Sequence, residues 1–259
     1  MYKQAIILFL AVFCNVTMAQ QCDPKKEYVI GVQAVDYSPH YNFVQTDKAN
    51  FFGEFVNWLK TKTQCNISIL ALPIKRLKIE FEKSNNIDFI YPDNPNWHKQ
   101  SDNTVQLNKR YFSSPLTLAL GSTIVSQENE NITLDDFNTL AFPRGFTPVA
   151  WYQYVKQYNI NFVETTNAYA ALKMLELKRV DGADIEFNVA QYLIKEHKMS
   201  AMVMAKHLPF SPTGFHLSTI KEKLLLEHIS HLINKHQDEI NHLKSKYNIV
   251  ETISGHEQK

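Results

Sequence analysis

The sequence predicts an α/β protein of two lobes, each a mostly parallel sheet flanked by helices, joined by a two-strand hinge. Three observations carry this expectation. The first ninety residues alternate as β-α-β-α-β, an order that gives right-handed crossovers and a parallel sheet. The same unit recurs between Thr133 and Ala205, without sequence identity to the first. Two segments, Ser114 to Val125 and Pro212 to Ser218, fit neither unit and flank the second, so they carry the chain out of one lobe and back. The expected lobes are therefore residues 23–114 with 214–259, and residues 115–213.

Taken in order, Met1 to Ala19 opens with Lys3, continues through the apolar run Ala5 to Phe13 and ends on small residues, the pattern of a secretory signal peptide. The run is about half of the ~20 residues that span a bilayer, so a retained anchor is the weaker alternative. Cys14 follows the bulky Phe13, where a lipoprotein signal wants a small residue, and cleavage is expected near Ala19. Tyr28 to Val32 is a short apolar run, as a strand covered on both faces requires. Phe51, Phe52, Phe55, Val56 and Leu59 form an apolar stripe at helical spacing. Ile67 to Leu72 is the next strand, stopping at Pro73; Ile74, Leu77 and Phe81 mark a helix, and Ile87 to Tyr91 a third strand.

In the second unit, Thr133 to Asp136 has capping-box spacing before the strand Thr139 to Phe142. Thr147-Pro148 predicts a capped helix to about Gln157, then a strand at 161–163. Ala168, Ala171, Leu172 and Leu175 line a helix before the strand Gly182 to Ile185; a helix over 187–196 and a strand over 201–205 close the unit. One long helix is expected over 220–247. The polar stretch Asp93 to Lys109 is the exception to the alternation, and long loops in compact domains are often functional.

The signal segment carries one of the 27 basic side chains and none of the 26 acidic ones, so the processed chain is neutral. It has no electrostatic footprint for nucleic acid or an anionic membrane. An apolar fraction of 44% gives it a real core. Cys22 and Cys65 each precede a strand, and those strands are expected to be parallel neighbours. In an oxidising compartment this predicts a structural disulfide.

An ordered series of short motifs resembles the bacterial extracellular solute-binding proteins of family 3 over nearly all of the processed chain. The series is Val29-Ile-Gly-Val32 with Tyr37-Ser-Pro39, Leu72-Pro73 with Arg76-Leu77, Asn86-Ile-Asp88, Tyr111-Phe-Ser-Ser-Pro115, Leu134-Asp-Asp-Phe137, Arg144-Gly-Phe-Thr147 and Arg179-Val-Asp-Gly-Ala-Asp-Ile-Glu186. The resemblance implies a periplasmic-binding-protein-like fold of type II that closes around a ligand by rotation at the hinge. It also implies an acidic residue for an α-amino group, matched here by Glu186 where the family has aspartate. The family's arginine for the α-carboxylate falls in a stretch replaced by Asp93-Asn-Pro-Asn-Trp-His98, which has none, so a standard amino acid is disfavoured.

Ligands of open α/β sheets bind beyond the carboxyl ends of the strands. The candidate binding residues are therefore Tyr37, Tyr91, Asn94, Trp97, Arg144, Phe146, Thr147 and Glu186. Tyr37, Tyr91 and Trp97 offer flat faces for a ring or a cation, or else close a loop as buried aromatics. Arg144 to Thr147, before an expected helix, suits an anionic or carbonyl group, although a loop arginine is more often solvated. Glu186 is a partner for an ammonium group, or a charge facing solvent or Lys178. Arg76 reads as a structural ion pair, and the histidines after His228 as a solvated face without metal-site spacing. His40 and His98 are further donors. No cofactor is expected. The function this predicts is capture of a small polar or zwitterionic solute by a monomeric periplasmic protein, for an inner-membrane transporter or sensor. A dehydratase-like enzyme of the same fold, with Glu186 transferring a proton, is the alternative.

Overall fold

A computed structural model describes residues 22–44, 48–84, 86–98 and 110–253. The expected signal peptide and most of the polar stretch after His98 lie outside the described residues. In chain order the elements are β1 (Glu27–Gln33), β2 (Asp36–Tyr37), β3 (Tyr41–Asn42), α1 (Phe51–Thr63), β4 (Asn66–Leu72), α2 (Ile74–Lys83) and β5 (Phe89–Asp93). The hinge strand β7 (Thr117–Ser126) follows the short β6 (Tyr111–Phe112). Then come β8 (Thr139–Pro143), α3 (Tyr152–Val155), β9 (Asn161–Thr165), α4 (Ala168–Glu176), β10 (Gly182–Glu186), α5 (Phe187–Glu196) and β11 (Met202–Met204). The second hinge strand, β12 (Ser211–Thr219), leads to α6 (Lys223–Lys235) and α7 (Gln237–Lys246).

The strand order is β4-β1-β5-β12-β7-β10-β8-β9, with β11 on β7 and β6 on β12. Within it, β4, β1 and β5 run parallel, as do β10, β8 and β9. β12 belongs to both halves: Ser211 to Phe215 pair antiparallel with β7, and His216 and Ser218 pair antiparallel with β5. The two crossing strands approach closely, since a Cβ on Gly121 would meet the Ser211 carbonyl oxygen at 2.8 Å.

Local chemistry explains the helices. Asn50 caps α1 by accepting from Gly53 N at 2.9 Å, and the helix buries its predicted stripe from Phe51 to Leu59. Asn167 caps α4 in the same way through Ala170 N at 2.8 Å. Buried Asp88 accepts from Val29 N at 2.8 Å and pairs with Lys26 at 2.9 Å, tying β1 to the turn before β5. A disulfide joins Cys22 to Cys65, just ahead of the in-register starts of β1 and β4, Glu27 and Asn66.

Three expected elements differ. The helix after Thr147-Pro148 shortens to a 3-10 turn at Val149–Trp151 and the four residues of α3, because Pro148 sits at φ −75°, ψ 65°, outside helical space. Thr133 makes no backbone cap and donates instead to Asp136 Oδ2 at 3.2 Å, ahead of a single 3-10 turn. The long last helix breaks into α6 and α7 at His236, whose ψ is 37°. Among the described residues no helix is long and apolar enough to cross a membrane.

Candidate functional site

Between the two halves of the sheet, beyond the carboxyl ends of β1, β5, β8 and β10, lies a cavity of about 660 Å³. Of the eight candidate residues, Tyr37, Tyr91, Trp97, Phe146, Thr147 and Glu186 line it, while Asn94 and Arg144 do not. Tyr37 and Phe146, one from each lobe, stack with centroids 5.0 Å apart and planes inclined by 14°. Trp97, 43% exposed, stands edge-on to Phe215 at 5.9 Å. Tyr91 is fully buried and stacks face to face on Phe52 at 3.8 Å, so it is a wall rooted in the core of the first lobe. Burial raises the hydroxyl pKa values of Tyr37 and Tyr91, and both stay neutral donors at physiological pH.

Asn94 is buried and committed to the backbone: it donates to the Gly214 carbonyl at 2.7 Å and accepts from Asn96 N at 2.8 Å. Arg144 faces water, with a side chain 71% exposed and an ion pair to Glu164. The reason is the turn it occupies. Phe146 N donates to the Pro143 carbonyl at 3.1 Å, and Gly145 adopts φ +88°, a turn whose middle residues protrude while Phe146 swings back to the cavity. Since no full helix follows Thr147, the expected dipole of a helix N-terminus is weak here.

Glu186, 4% exposed, is fully partnered. One oxygen accepts from Leu120 N at 3.0 Å and Asn188 Nδ2 at 2.7 Å; the other accepts from Val189 N at 2.9 Å, capping α5, and lies 3.1 Å from His40 Nε2. Burial opposes its charge, but His40 and the two backbone N–H groups prevail and hold the carboxyl below the usual carboxylate range. His40 is wholly buried and comes from the first lobe, so the pair bridges the cleft. Lys178, the alternative partner, pairs with Glu128 instead. Arg76 makes an exposed 3.7 Å pair with Glu80.

Among the charged residues of the lining that sequence reasoning passed over, Arg110 and Asp184 are the two that are not exposed at its mouth or engaged only as a partner. Arg110 enters from the far end of the polar stretch, with a side chain only 6% exposed. It pairs with Asp93 at 2.9 Å and Glu82 at 3.2 Å. Asp93 is also 2.6 Å from His98 Nε2 and accepts from Ser218, and these partners outweigh burial to keep its carboxyl ionised. Asp184 lies two residues before Glu186 on the same face of β10, half-buried, and its carboxyl has no hydrogen-bond or ionic partner among the described residues. Burial alone pushes it up to about 7.

No protein-family model matches the chain, and no curated protein does. Solved structures do match. A histidine kinase sensor domain with similarity to periplasmic binding proteins superposes with a TM-score of 0.69 at 17% identity, over 87% of this chain and 97% of that one. The VFT2 domain of BvgS from Bordetella pertussis gives 0.68 at 15%, over 85% and 93%. An ancestral arginine-binding protein bound to arginine gives 0.68 at 16%, over 87% and 99%. At these identities the likeness speaks for architecture alone, and it agrees with the strand order and hinge described above: the chain has the two-lobed periplasmic-binding-protein fold.

Proposed function

We propose that this protein is an exported solute-binding protein of the family 3 type, monomeric, which captures a small polar solute between its lobes for a membrane transporter or sensor. The observation that carries it is the cleft itself: a cavity of about 660 Å³, the size of a small-molecule site, walled by aromatic side chains from both lobes. Similar folds belong both to transport-type binding proteins and to a kinase sensor domain, and the two roles share the same closure. The lobes are read as residues 23–114 with 214–259, and 115–213, because β7 and β12 pair along the crossings between these segments.

A dehydratase-like enzyme has one observation in its favour, the Asp184 carboxyl that titrates near neutrality in the cleft. Glu186, the group first expected to move a proton, has its lone pairs occupied and is held ionised. The test is a thermal-shift panel of amines, amino acids, organic acids and small sugars on the purified processed protein. One solute class is expected to raise the melting temperature and to be recovered chemically unchanged after long incubation. No shift with any class would remove the binding function, and a converted solute would establish the enzyme.

A further inference from the structure

We infer that the solute is an organic ammonium ion whose charged head is held by Asp184, and that no carboxylate on the solute is needed. The inference rests on the solute-binding function proposed above and narrows it to a chemical class.

The charges around the cavity leave few choices. Glu186 is the position where an ammonium partner was expected, but its oxygens are occupied by Leu120 N, Asn188, Val189 N and His40. A ligand that took this carboxylate would uncap α5 and break the 3.1 Å contact with buried His40. Arg110 is the buried guanidinium of the cleft, but Asp93 and Glu82 already neutralise it. A solute carboxylate would have to displace one of these two, leaving an acid unpaired in the same cavity. The second cation of the lining, Lys78, is exposed at the mouth, where water screens it.

Asp184 is different, because its carboxyl reaches the cavity with no partner among the described residues. An unpaired carboxyl in such a place takes a proton or a cation, and a cation from the solute makes it a charge-assisted contact. The walls fit the same class. Tyr37, near enough to Asp184 to feel its charge, stacks on Phe146, and Phe215 and Trp97 complete an aromatic lining. Aromatic faces attract cations and pack hydrocarbon equally well. The arrangement therefore reads a cationic head against one acid and an apolar body against rings.

Isothermal titration at pH 8 of wild-type protein tests this with two matched sets. The first is 2-phenylethylamine, 3-phenylpropionate and L-phenylalanine; the second is butylamine, butyrate and 4-aminobutyrate. In at least one set the amine is expected to bind tightest. Asp184→Asn is expected to weaken that amine tenfold or more, while Lys235→Ala, at an exposed position outside the cavity lining, changes it less than twofold. If the acid or the zwitterion binds as tightly as the amine in both sets, if no amine binds, or if folded Asp184→Asn keeps its affinity, the inference is overturned. The ranking in wild-type protein decides the matter even where Asp184→Asn does not fold. Solute binding as a function falls only if the wider panel of acids, sugars and amino acids also fails.

Discussion

Asp184 and Glu186 stand on one face of one strand and hold opposite states, because Glu186 has N–H groups and a histidine around it and Asp184 has only desolvation. For Asp184 the folded-state value is raised from 3.8 to about 7, so between those values the folded protein holds a proton that the unfolded chain has released. Stability from this group is therefore full below pH 4 and is lost as pH rises to about 7. At about 1.4 kcal/mol per pH unit the loss is on the order of 4 kcal/mol by pH 8. Asp184→Asn removes this dependence, so in ligand-free protein its melting temperature should gain on wild type by about 5–10 °C between pH 5 and pH 8. A difference that stays flat across that range would show the carboxyl is not desolvated. Glu186 has the reverse sign: its lowered value adds stability above pH 4.5 that disappears as pH falls further. Both acids lie in the run Arg179 to Glu186 that the sequence singled out. What the sequence hid was the partner list. Period-two alternation puts Asp184 beside Glu186, but only the fold shows that one of them is capped and the other is not.

At the scale of elements, the strands were legible because covered strands are short apolar runs, and their ends mostly fell within two residues of expectation. The helices with an asparagine at the first cap, α1 and α4, agree as well. The misread helices lacked such local determinants or had false ones: Thr147-Pro148 looks like a start, yet Pro148 leaves helical space, and nothing at His236 resembles a Pro or Gly break. Arg110 was missed for a related reason, since it follows a polar stretch whose path the sequence does not define. The Cys22–Cys65 link was legible because it depends only on β1 and β4 being parallel neighbours in register. It closes a loop of 43 residues, and the chain-entropy account gives about 4 kcal/mol for such a loop. The double variant Cys22→Ser, Cys65→Ser is expected to lose about 2–4 kcal/mol in urea unfolding while ligand affinity changes less than twofold, the cavity being lined by other residues. An unchanged urea midpoint would mean the bridge adds nothing to the fold.

For the whole molecule, the question is what keeps the lobes together across the hinge. Among the described residues, contacts that join the lobes include Tyr37 on Phe146, His40 on Glu186 and Lys48 with Tyr192 and Glu196 over the cleft, and the hydrogen bonds of Asn188 with Val250 and of Leu118 N with Glu251 from the C-terminal segment. The lysine contact is exposed and contributes at most about 1 kcal/mol. Glu186 is tied to its own lobe by other bonds, so removing it would damage α5 as well as closure. Phe146 is the cleaner probe, because it stands at the end of a turn and its ring meets Tyr37 across the gap. An aromatic pair of this kind is worth about 0.5–1.5 kcal/mol beyond its buried area, and tenfold in an equilibrium is about 1.4 kcal/mol. Phe146→Ala should therefore shift the ligand-free protein toward the open form by roughly tenfold and raise Kd by a similar factor. Small-angle scattering gives the independent reading. The ligand-free variant should have a larger radius of gyration than wild type, and saturating solute should bring the two together. A weaker Kd with an unchanged ligand-free radius would make Phe146 a wall of the cavity and would leave closure to the other contacts between the lobes, the buried His40–Glu186 pair and the Asn188–Val250 hydrogen bonds among them.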